Sequence, residues 1–287
     1  MTTPLEMQER LTKNHLDIHY LVWNQNSKKP PIICIHGWMD NAMSFQPLAQ
    51  ALPEYRIIAI ELPGHGRSDH FPAGSFYHLA DYLRVVFEFL MLQSSEYVLA
   101  GHSLGGGIAS LCAGYLNSYA AKIVLLEGIG PLTADENTAS NQLGKYLENF
   151  HPKQDQKNDR NIKNKPTIDQ LVAARARAGK LPKHLAQLLI ERNLADSRPE
   201  LKWKSDPRIQ WPSATRMTEK QVLRILQDIT PPTQFITGTN GIIKKKDYER
   251  RLGALTCEFE HSIAPGGHHL HMENPTAVAK IIRDFVK

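Results

Sequence analysis

A serine set between glycines is the residue of this sequence with the clearest chemical meaning. Ser103 lies at the centre of Gly101-His102-Ser103-Leu104-Gly105, after an apolar run of buried-strand type and before a helical pattern. The glycines permit a sharp strand-to-helix turn that presents the serine hydroxyl as a nucleophile at a helix N-terminus. An N-cap serine in an ordinary glycine-rich turn is the alternative. The flanking strand and helix favour the nucleophile.

A nucleophilic serine needs a base, and three histidines near the end of the chain supply candidates. His268, His269 and His271 lie between the last predicted strand and the last predicted helix. A neutral imidazole there can accept the serine proton and return it to the leaving group. We predict that His268, directly after Gly267, is this base. Clustered histidines can also bind a metal, but the sequence has no second cluster of ligands. We therefore expect no metal and no cofactor.

The acid that orients the imidazole is harder to place. The turn after the fifth predicted strand, Gly238-Thr239-Asn240-Gly241, holds no carboxylate, and Asp247 comes later, within a charged helical pattern. Glu127 ends the preceding strand, where a carboxylate can orient the imidazole and stabilise the imidazolium. We predict that Glu127 is the acid. The alternative is that it caps the following loop.

A loop after an earlier strand, His36-Gly37-Trp38, is placed to bind developing negative charge. In a site of this kind, one backbone N–H comes from such a loop and another from the residue after the nucleophile. These donors are predicted to be the backbone N–H groups of Trp38 and Leu104. His36 itself is expected to brace the loop and not to act as a base.

These residues all fall at the carboxyl ends of predicted strands, where open α/β sheets bind their ligands. The runs of buried-strand type are 32–35, 56–60, 97–100, 123–126, 234–237 and 257–260, with helical patterns at 76–92, 104–116 and 275–286. A strand at 16–23 is expected to form an antiparallel edge. This alternation predicts a mostly parallel sheet with crossover helices.

Residues 131–226 interrupt the alternation with helical patterns near 167–179, 182–195 and 216–228 and a polar stretch at 153–165. We predict an α/β core formed by residues 1–130 and 227–287, and a helical cap formed by residues 131–226. The cap residues considered for lining a site are Leu185, Leu189, Trp203 and Trp211. Apolar residues of such an insertion more often form its own core.

Composition narrows the class of protein. The three cysteines (Cys34, Cys112 and Cys257) are odd in number and widely spaced, which fits buried thiols in a reducing cytoplasm. The charged N-terminus and the lack of a long apolar run predict no secretory signal and no membrane span.

The net charge is +5, but the basic stretch 153–183 has no aromatic residue, so it indicates a solvated helical surface and not a nucleic-acid interface. The expected partner is a small-molecule substrate; the oligomeric state is left open.

Several of these segments together resemble the α/β-hydrolase superfamily. They are HGWMDNAMSF (36–45), ELPGHGRSD (61–69), the turn around Ser103, and the ending with Gly267-His268 and Glu273-Asn274-Pro275. HGWMDNAMSF and LLEGIGP (125–131) are particularly similar to serine hydrolase-like proteins. The resemblance covers nearly the whole chain except the insertion.

The resemblance implies an α/β-hydrolase fold with an eight-stranded sheet, a helical cap, and a site between them with Ser103 as nucleophile and His268 as base. Some relatives, including certain dehalogenases, carry the acid after the sixth strand, where Glu127 would fall. Relatives that open epoxides or remove halide use aspartate at the position of Ser103, which argues against both chemistries.

The resulting hypothesis is hydrolysis of an ester or related acyl bond through an acyl-enzyme. Cleavage of a carbon–carbon bond in a β-diketone with the same three residues is an alternative that the motifs do not separate from it. A binding protein that keeps the pocket without turnover is a third interpretation, because no carboxylate follows the fifth predicted strand.

Overall fold

Eight strands form one sheet at the centre of the molecule. A computed structural model describes residues 3–93, 95–115, 120–151, 166–194 and 203–287. The strand order in the sheet is β1-β2-β4-β3-β5-β6-β7-β8. Only the pairs β1–β2 and β2–β4 are antiparallel among these strands. The strands are β1 (Leu5–Leu11), β2 (Leu16–Trp23), β3 (Ile32–Ile35), β4 (Ile57–Ile60), β5 (Tyr97–His102), β6 (Ala120–Leu126), β7 (Thr233–Gly238) and β8 (Phe259–Ala264). The mostly parallel eight-stranded sheet is thus confirmed.

Helices cover both faces of this sheet. Those of the described residues are α1 (Gln46–Ala51), α2 (Leu79–Met91), α3 (Leu104–Ala113), α4 (Ala139–Leu147), α5 (Ile168–Gly179), α6 (Lys183–Arg192), α7 (Glu219–Leu226), α8 (Lys245–Leu252), α9 (Leu270–Glu273) and α10 (Pro275–Phe285). Among the described residues, no helix is long and apolar enough to cross a membrane.

The continuous apolar runs of the central strands follow from burial on both faces. In β3, Ile33 and Ile35 pack in one hydrophobic cluster together with residues of α2 and α3. Ile32 and Cys34 point the other way, into a second cluster with residues of α1 and α10. Parallel strands covered on both faces have no solvent side to show as polar alternation, so these strands were the easiest to predict.

The segment between β6 and β7, residues 131–226, is here called the inserted segment. Its helices α5 and α6 pack together around a hydrophobic cluster that includes Leu185 and Leu189 and, from the core, Met272 of α9. The rings of Trp211 and Phe76 are in tilted contact, with their centroids 5.3 Å apart. Trp203 pairs with Leu194 through an isolated bridge and is half exposed.

Several sequence expectations need correction at the edges of the fold. The edge beside β2 is β1, whose residues are mostly exposed and largely alternate between apolar and polar types, three of seven being charged, so that it lacks the unbroken apolar run of a buried strand. The last strand is Phe259–Ala264 and not 257–260, since this edge strand is also largely exposed. Helix α4 was not predicted, because none of its residues is buried. The predicted polar stretch 153–165 lies outside the described residues. Cys34 and Cys112 are buried, and Cys257 is partly exposed.

Candidate active site

Ser103 makes the turn between β5 and α3 by itself. Its backbone has φ 52° and ψ −113°, a conformation that costs a residue other than glycine about 1–3 kcal/mol and needs support from its surroundings. The Ser103 N–H donates to the carbonyl of Leu126 at 3.0 Å. Gly105 lets the helix start close to β3, because a Cβ at this position would lie 2.1 Å from the carbonyl oxygen of Ile35.

The structure brings the three candidate residues into one hydrogen-bonded chain. His268 Nε2 lies 2.9 Å from Ser103 Oγ, and His268 Nδ1 lies 3.2 Å from Glu127 Oε2. An ionised carboxylate only accepts hydrogen bonds, so Nδ1 carries the proton and donates it to Glu127. Nε2 is then free to accept the hydrogen bond of the Ser103 hydroxyl. The Glu127 side chain is 1% exposed, and that of His268 is 17% exposed.

Glu127 reaches this position from β6 and lies against the turn after β7. Its carboxylate accepts the N–H groups of Gly238 at 2.8 Å and Ile242 at 3.0 Å. Gly241 leaves the space for it, since a Cβ there would lie 2.0 Å from Glu127 Oε1. The turn that holds no carboxylate in the sequence therefore receives one from the neighbouring strand.

Opposing influences act on the ionisation of Glu127. Burial raises the pKa of this carboxyl, while the hydrogen bonds from His268, Gly238 and Ile242 lower it, and the net result is a pKa below the usual value. Hydrogen bonds to the charged form thus outweigh desolvation, and Glu127 is ionised at neutral pH.

The two backbone groups predicted to bind an oxyanion lie on adjacent elements. Leu104 is the first residue of α3, and the first N–H groups of a helix have no acceptor within it. Trp38 lies in the turn after β3. Across the described residues, no backbone acceptor outside the regular elements pairs with either N–H. The Trp38 indole Nε1–H donates to the carbonyl of Ile209 in the inserted segment at 2.8 Å.

His36 braces this loop, as expected from the sequence. Its Nδ1–H donates to the carbonyl of Gly37 at 2.8 Å, and its Nε2 accepts the N–H of Leu62 at 3.0 Å. Burial lowers the pKa of His36 to about 4, so the ring is neutral at pH 7 and both of its nitrogens are already used.

Sequence reasoning missed a buried group beside these residues, here called the Asp40 cluster: Asp40, His102, Arg175 and His269. Asp40 lies two residues after Trp38 and is 1% exposed. Its Oδ2 is 3.3 Å from His269 Nε2 and 3.5 Å from His102 Nδ1, and its Oδ1 accepts a hydrogen bond from Arg175. Asp40 and His102 lie within the motifs HGWMDNAMSF and GHSLG, and His269 directly follows His268. Arg175 is 135 residues from Asp40, and no local pattern connects it with the other three.

Three members of this cluster have ligand atoms within 4.8 Å of one another, a spacing that suits a metal ion: Asp40, His102 and His269. The Arg175 guanidinium already binds Asp40 and lies 3.3 Å from His269 Nε2. A metal ion would have to displace this positive charge. The cluster is therefore a poor fit for a metal.

Comparison with known proteins agrees with this architecture. Residues 30–275 match the model of the alpha/beta hydrolase fold. A serine hydrolase-like protein of Dictyostelium discoideum is 30% identical over 94% of this chain and 79% of its own length. One from Danio rerio is 27% identical over 93% of this chain and 84% of its own length. The crystal structure of a hypothetical protein from Pseudomonas aeruginosa PAO1 superimposes with a TM-score of 0.83 at 30% identity, covering 98% of both chains. This chain belongs to the α/β-hydrolase fold family.

Proposed function

We propose that this protein is a serine hydrolase that cleaves a carboxylic ester or a related acyl bond through an acyl-enzyme. The observation that carries the proposal is the hydrogen-bonded chain Ser103–His268–Glu127, with contacts of 2.9 Å and 3.2 Å. A serine hydroxyl, a base within hydrogen-bond reach and a third group that orients the base are the parts that nucleophilic catalysis requires.

In the first half of the proposed reaction, Ser103 Oγ attacks the acyl carbon while its proton moves to His268 Nε2. The carbonyl oxygen becomes an oxyanion and accepts the backbone N–H groups of Trp38 and Leu104. His268 then gives its proton to the leaving oxygen, and the acyl group stays on Ser103. Each oxyanion donor typically contributes about a hundred- to a thousand-fold in rate.

In the second half, His268 takes a proton from water, and the resulting hydroxide attacks the acyl carbon. The second tetrahedral intermediate uses the same two N–H donors. Its collapse returns the proton to Ser103 Oγ and releases the carboxylic acid. In both halves Glu127 keeps Nδ1 protonated and faces the imidazolium with a negative charge. The residues of the chain supply every proton transfer, so the proposal requires no cofactor or metal.

We assign the inserted segment the role of a cap on the core formed by residues 1–130 and 227–287. Two contacts to the loop after β3 support this role. Asn41 Nδ2 donates to the carbonyl of Leu189 at 2.9 Å, and the Trp38 indole donates to Ile209. A segment attached beside an oxyanion donor is placed to select a small-molecule substrate.

A fluorophosphonate probe tests the nucleophile directly, because it reacts only with an activated serine. We expect the wild type to label and Ser103→Ala not to label. Ser140→Ala is the matched control, since Ser140 is an exposed serine on α4. Labelling of Ser103→Ala at the wild-type rate would reject the proposal.

Turnover separates the alternatives left open by the sequence. Hydrolysis of short p-nitrophenyl esters supports acyl-bond cleavage. Labelling together with turnover of β-diketones and not of esters would assign carbon–carbon cleavage to the same residues. A wild type that neither labels nor turns over would be a binding protein.

A further inference from the structure

A buried ion pair joins the inserted segment to the loop after β3. Arg175 of α5 donates from Nη2 to Asp40 Oδ1, and the two side chains are 17% and 1% exposed. A carboxylate this deeply buried needs a positive partner or strong donors to stay ionised. Burial by itself raises the pKa of Asp40. The contacts with His269, His102 and Arg175 lower this pKa by more, so that the net result lies well below the usual value.

The other side of the same carboxylate faces the chain neighbours of the proposed catalytic residues. Asp40 Oδ2 lies 3.5 Å from Nδ1 of His102, next to Ser103, and 3.3 Å from Nε2 of His269, next to His268. The His102 and His268 rings are 4.8 Å apart, and the His268 and His269 rings are 5.3 Å apart. A positive charge on either neighbour would therefore act strongly on His268.

The hydrogen bonds of His102 define its proton. His102 Nε2 lies 2.8 Å from the backbone carbonyl oxygen of His268, and a carbonyl only accepts, so Nε2 carries the proton. Burial lowers the pKa of His102 to about 4, although Asp40 opposes this. At pH 7 the ring is neutral, and its Nδ1 is without a hydrogen-bond partner in the described part of the chain. His102 therefore does not balance the charge of Asp40.

Three further imidazoles near Asp40, those of His36, His65 and His271, do not balance its charge either. Burial lowers the pKa of His36 to about 4 and that of His65 to about 3. His271, whose ring is 4.4 Å from that of His102, has a pKa held well below its usual value by burial. Asp40 contacts His102, His269 and Arg175 within the described ranges. Among these three partners, Arg175 has a charge that does not depend on titration near neutral pH.

We propose that Arg175 is a positioning residue that balances the charge of Asp40, so that neither His102 nor His269 has to become positively charged beside His268. The inference rests on the proposed function, in which His268 becomes an imidazolium in each transition state. Without Arg175, the buried carboxylate would draw a proton onto one of the two neighbouring histidines. Two positive charges about 5 Å apart would then repel each other, which slows the reaction by about tenfold or more.

The pH dependence of kcat/KM distinguishes this role from a structural one. In Arg175→Gln, we expect the ratio of wild-type to variant kcat/KM for a short ester to be within about threefold at pH 8.5. The ratio should rise to about tenfold or more at pH 6, as the neighbouring histidine takes up its proton. Arg175→Lys keeps the charge and should hold the ratio nearly constant. A constant ratio for Arg175→Gln would overturn the proposal.

Two further variants separate charge from packing. Arg192→Gln removes another buried ion pair between the inserted segment and the core, since Arg192 Nη2 lies 2.7 Å from Glu61 with side chains 7% and 0% exposed. The ratio of wild-type to Arg192→Gln kcat/KM should not change with pH. The double variant Asp40→Asn/Arg175→Gln removes both charges of the pair and should lose the pH dependence of Arg175→Gln. Persistence of that dependence in the double variant would also contradict the proposal.

Histidine NMR titration tests the same inference without turnover. In Arg175→Gln, the ring of His102 or that of His269 should take up a proton between pH 8.5 and pH 6, the range in which kcat/KM of this variant is expected to fall. Unchanged titration of both rings would overturn the proposal whatever the activity. If the wild type does not label with the fluorophosphonate, the proposed function is wrong. The titration would still show whether Arg175 balances the charge of Asp40.

Discussion

The contacts of Glu127 allow a quantitative prediction for Glu127→Gln, which keeps the size of the side chain and removes its charge. The carboxylate accepts from His268 Nδ1, from Gly238 N and from Ile242 N, at 3.2, 2.8 and 3.0 Å. A glutamine amide has one acceptor oxygen and adds two N–H donors. At least one of the three donors therefore faces another donor in the variant.

The expected loss of activity follows from the distance to His268. Two unit charges 3.2 Å apart attract each other by about 5 kcal/mol at an effective dielectric constant of about 20. If the transition state loses this attraction, kcat falls by about 10³- to 10⁴-fold. KM should stay within about threefold, because Glu127 acts on the base and not on the substrate.

The assay is steady-state hydrolysis of short p-nitrophenyl esters, with correctly folded enzyme counted by circular dichroism and thermal melting. Asn240→Ala is the matched control. Its side chain is exposed in the turn that Glu127 covers, and its backbone N–H to the Gly266 carbonyl is retained. If Glu127→Gln keeps more than a tenth of the activity, or if Asn240→Ala loses as much, Glu127 does not act as the acid.

Other contacts give further predictions. Because the pKa of folded Glu127 is depressed, the stability that it contributes is complete above the unfolded pKa of about 4.5 and is lost as the pH falls through the folded pKa; the difference in urea-unfolding free energy between wild type and Glu127→Gln should narrow from pH 7 to pH 3.5. Gly105→Ala places a Cβ 2.1 Å from the Ile35 carbonyl oxygen, and urea unfolding should show a loss of about 3 kcal/mol or no folding. Trp38→Phe removes the 2.8 Å hydrogen bond to Ile209, so it should cost about 1 kcal/mol in the same measurement while ester turnover stays within about threefold; a much larger loss of turnover would show that the ring does more than hold the inserted segment.

The central fold and the contact between the three candidate residues followed from short-range signals. Strands such as β3 and β5 are buried at every residue, so each appears in the sequence as an unbroken apolar run. Parallel pairing then brings the strand ends together at one edge. Ser103 and Glu127 could be predicted because each directly follows a strand that ends in such a run. His268 could be predicted from its place after Gly267 and before the last helical pattern, although the strand before it, β8, is largely exposed.

Features that depend on exposure or on distant partners were missed. β1 is largely exposed, and three of its seven residues are charged; its pairing with β2 is what defines it as a strand. The partners Asp40 and Arg175 are far apart in the chain, and helix α5 has only a modest apolar face. A local sequence pattern does not show which charged residues far apart in the chain contact each other. The Asp40 cluster could therefore be identified only from the three-dimensional structure.

Strand pairing places the proposed nucleophile and acid more firmly than it places the base. The Ser103 N–H donates to Leu126 in β6, and the Glu127 N–H donates to Ile236 in β7, so both residues are extensions of the hydrogen-bonded sheet. His268 lies in the loop after β8. Side chains help to hold that loop: His102 donates to the carbonyl of His268, Glu273 accepts the N–H of Gly267, and Thr239 Oγ1 accepts the N–H of Gly266. The base is therefore the member of the three whose position depends most on side chains outside the sheet, and His102 and His269 are the two residues that connect it to Asp40.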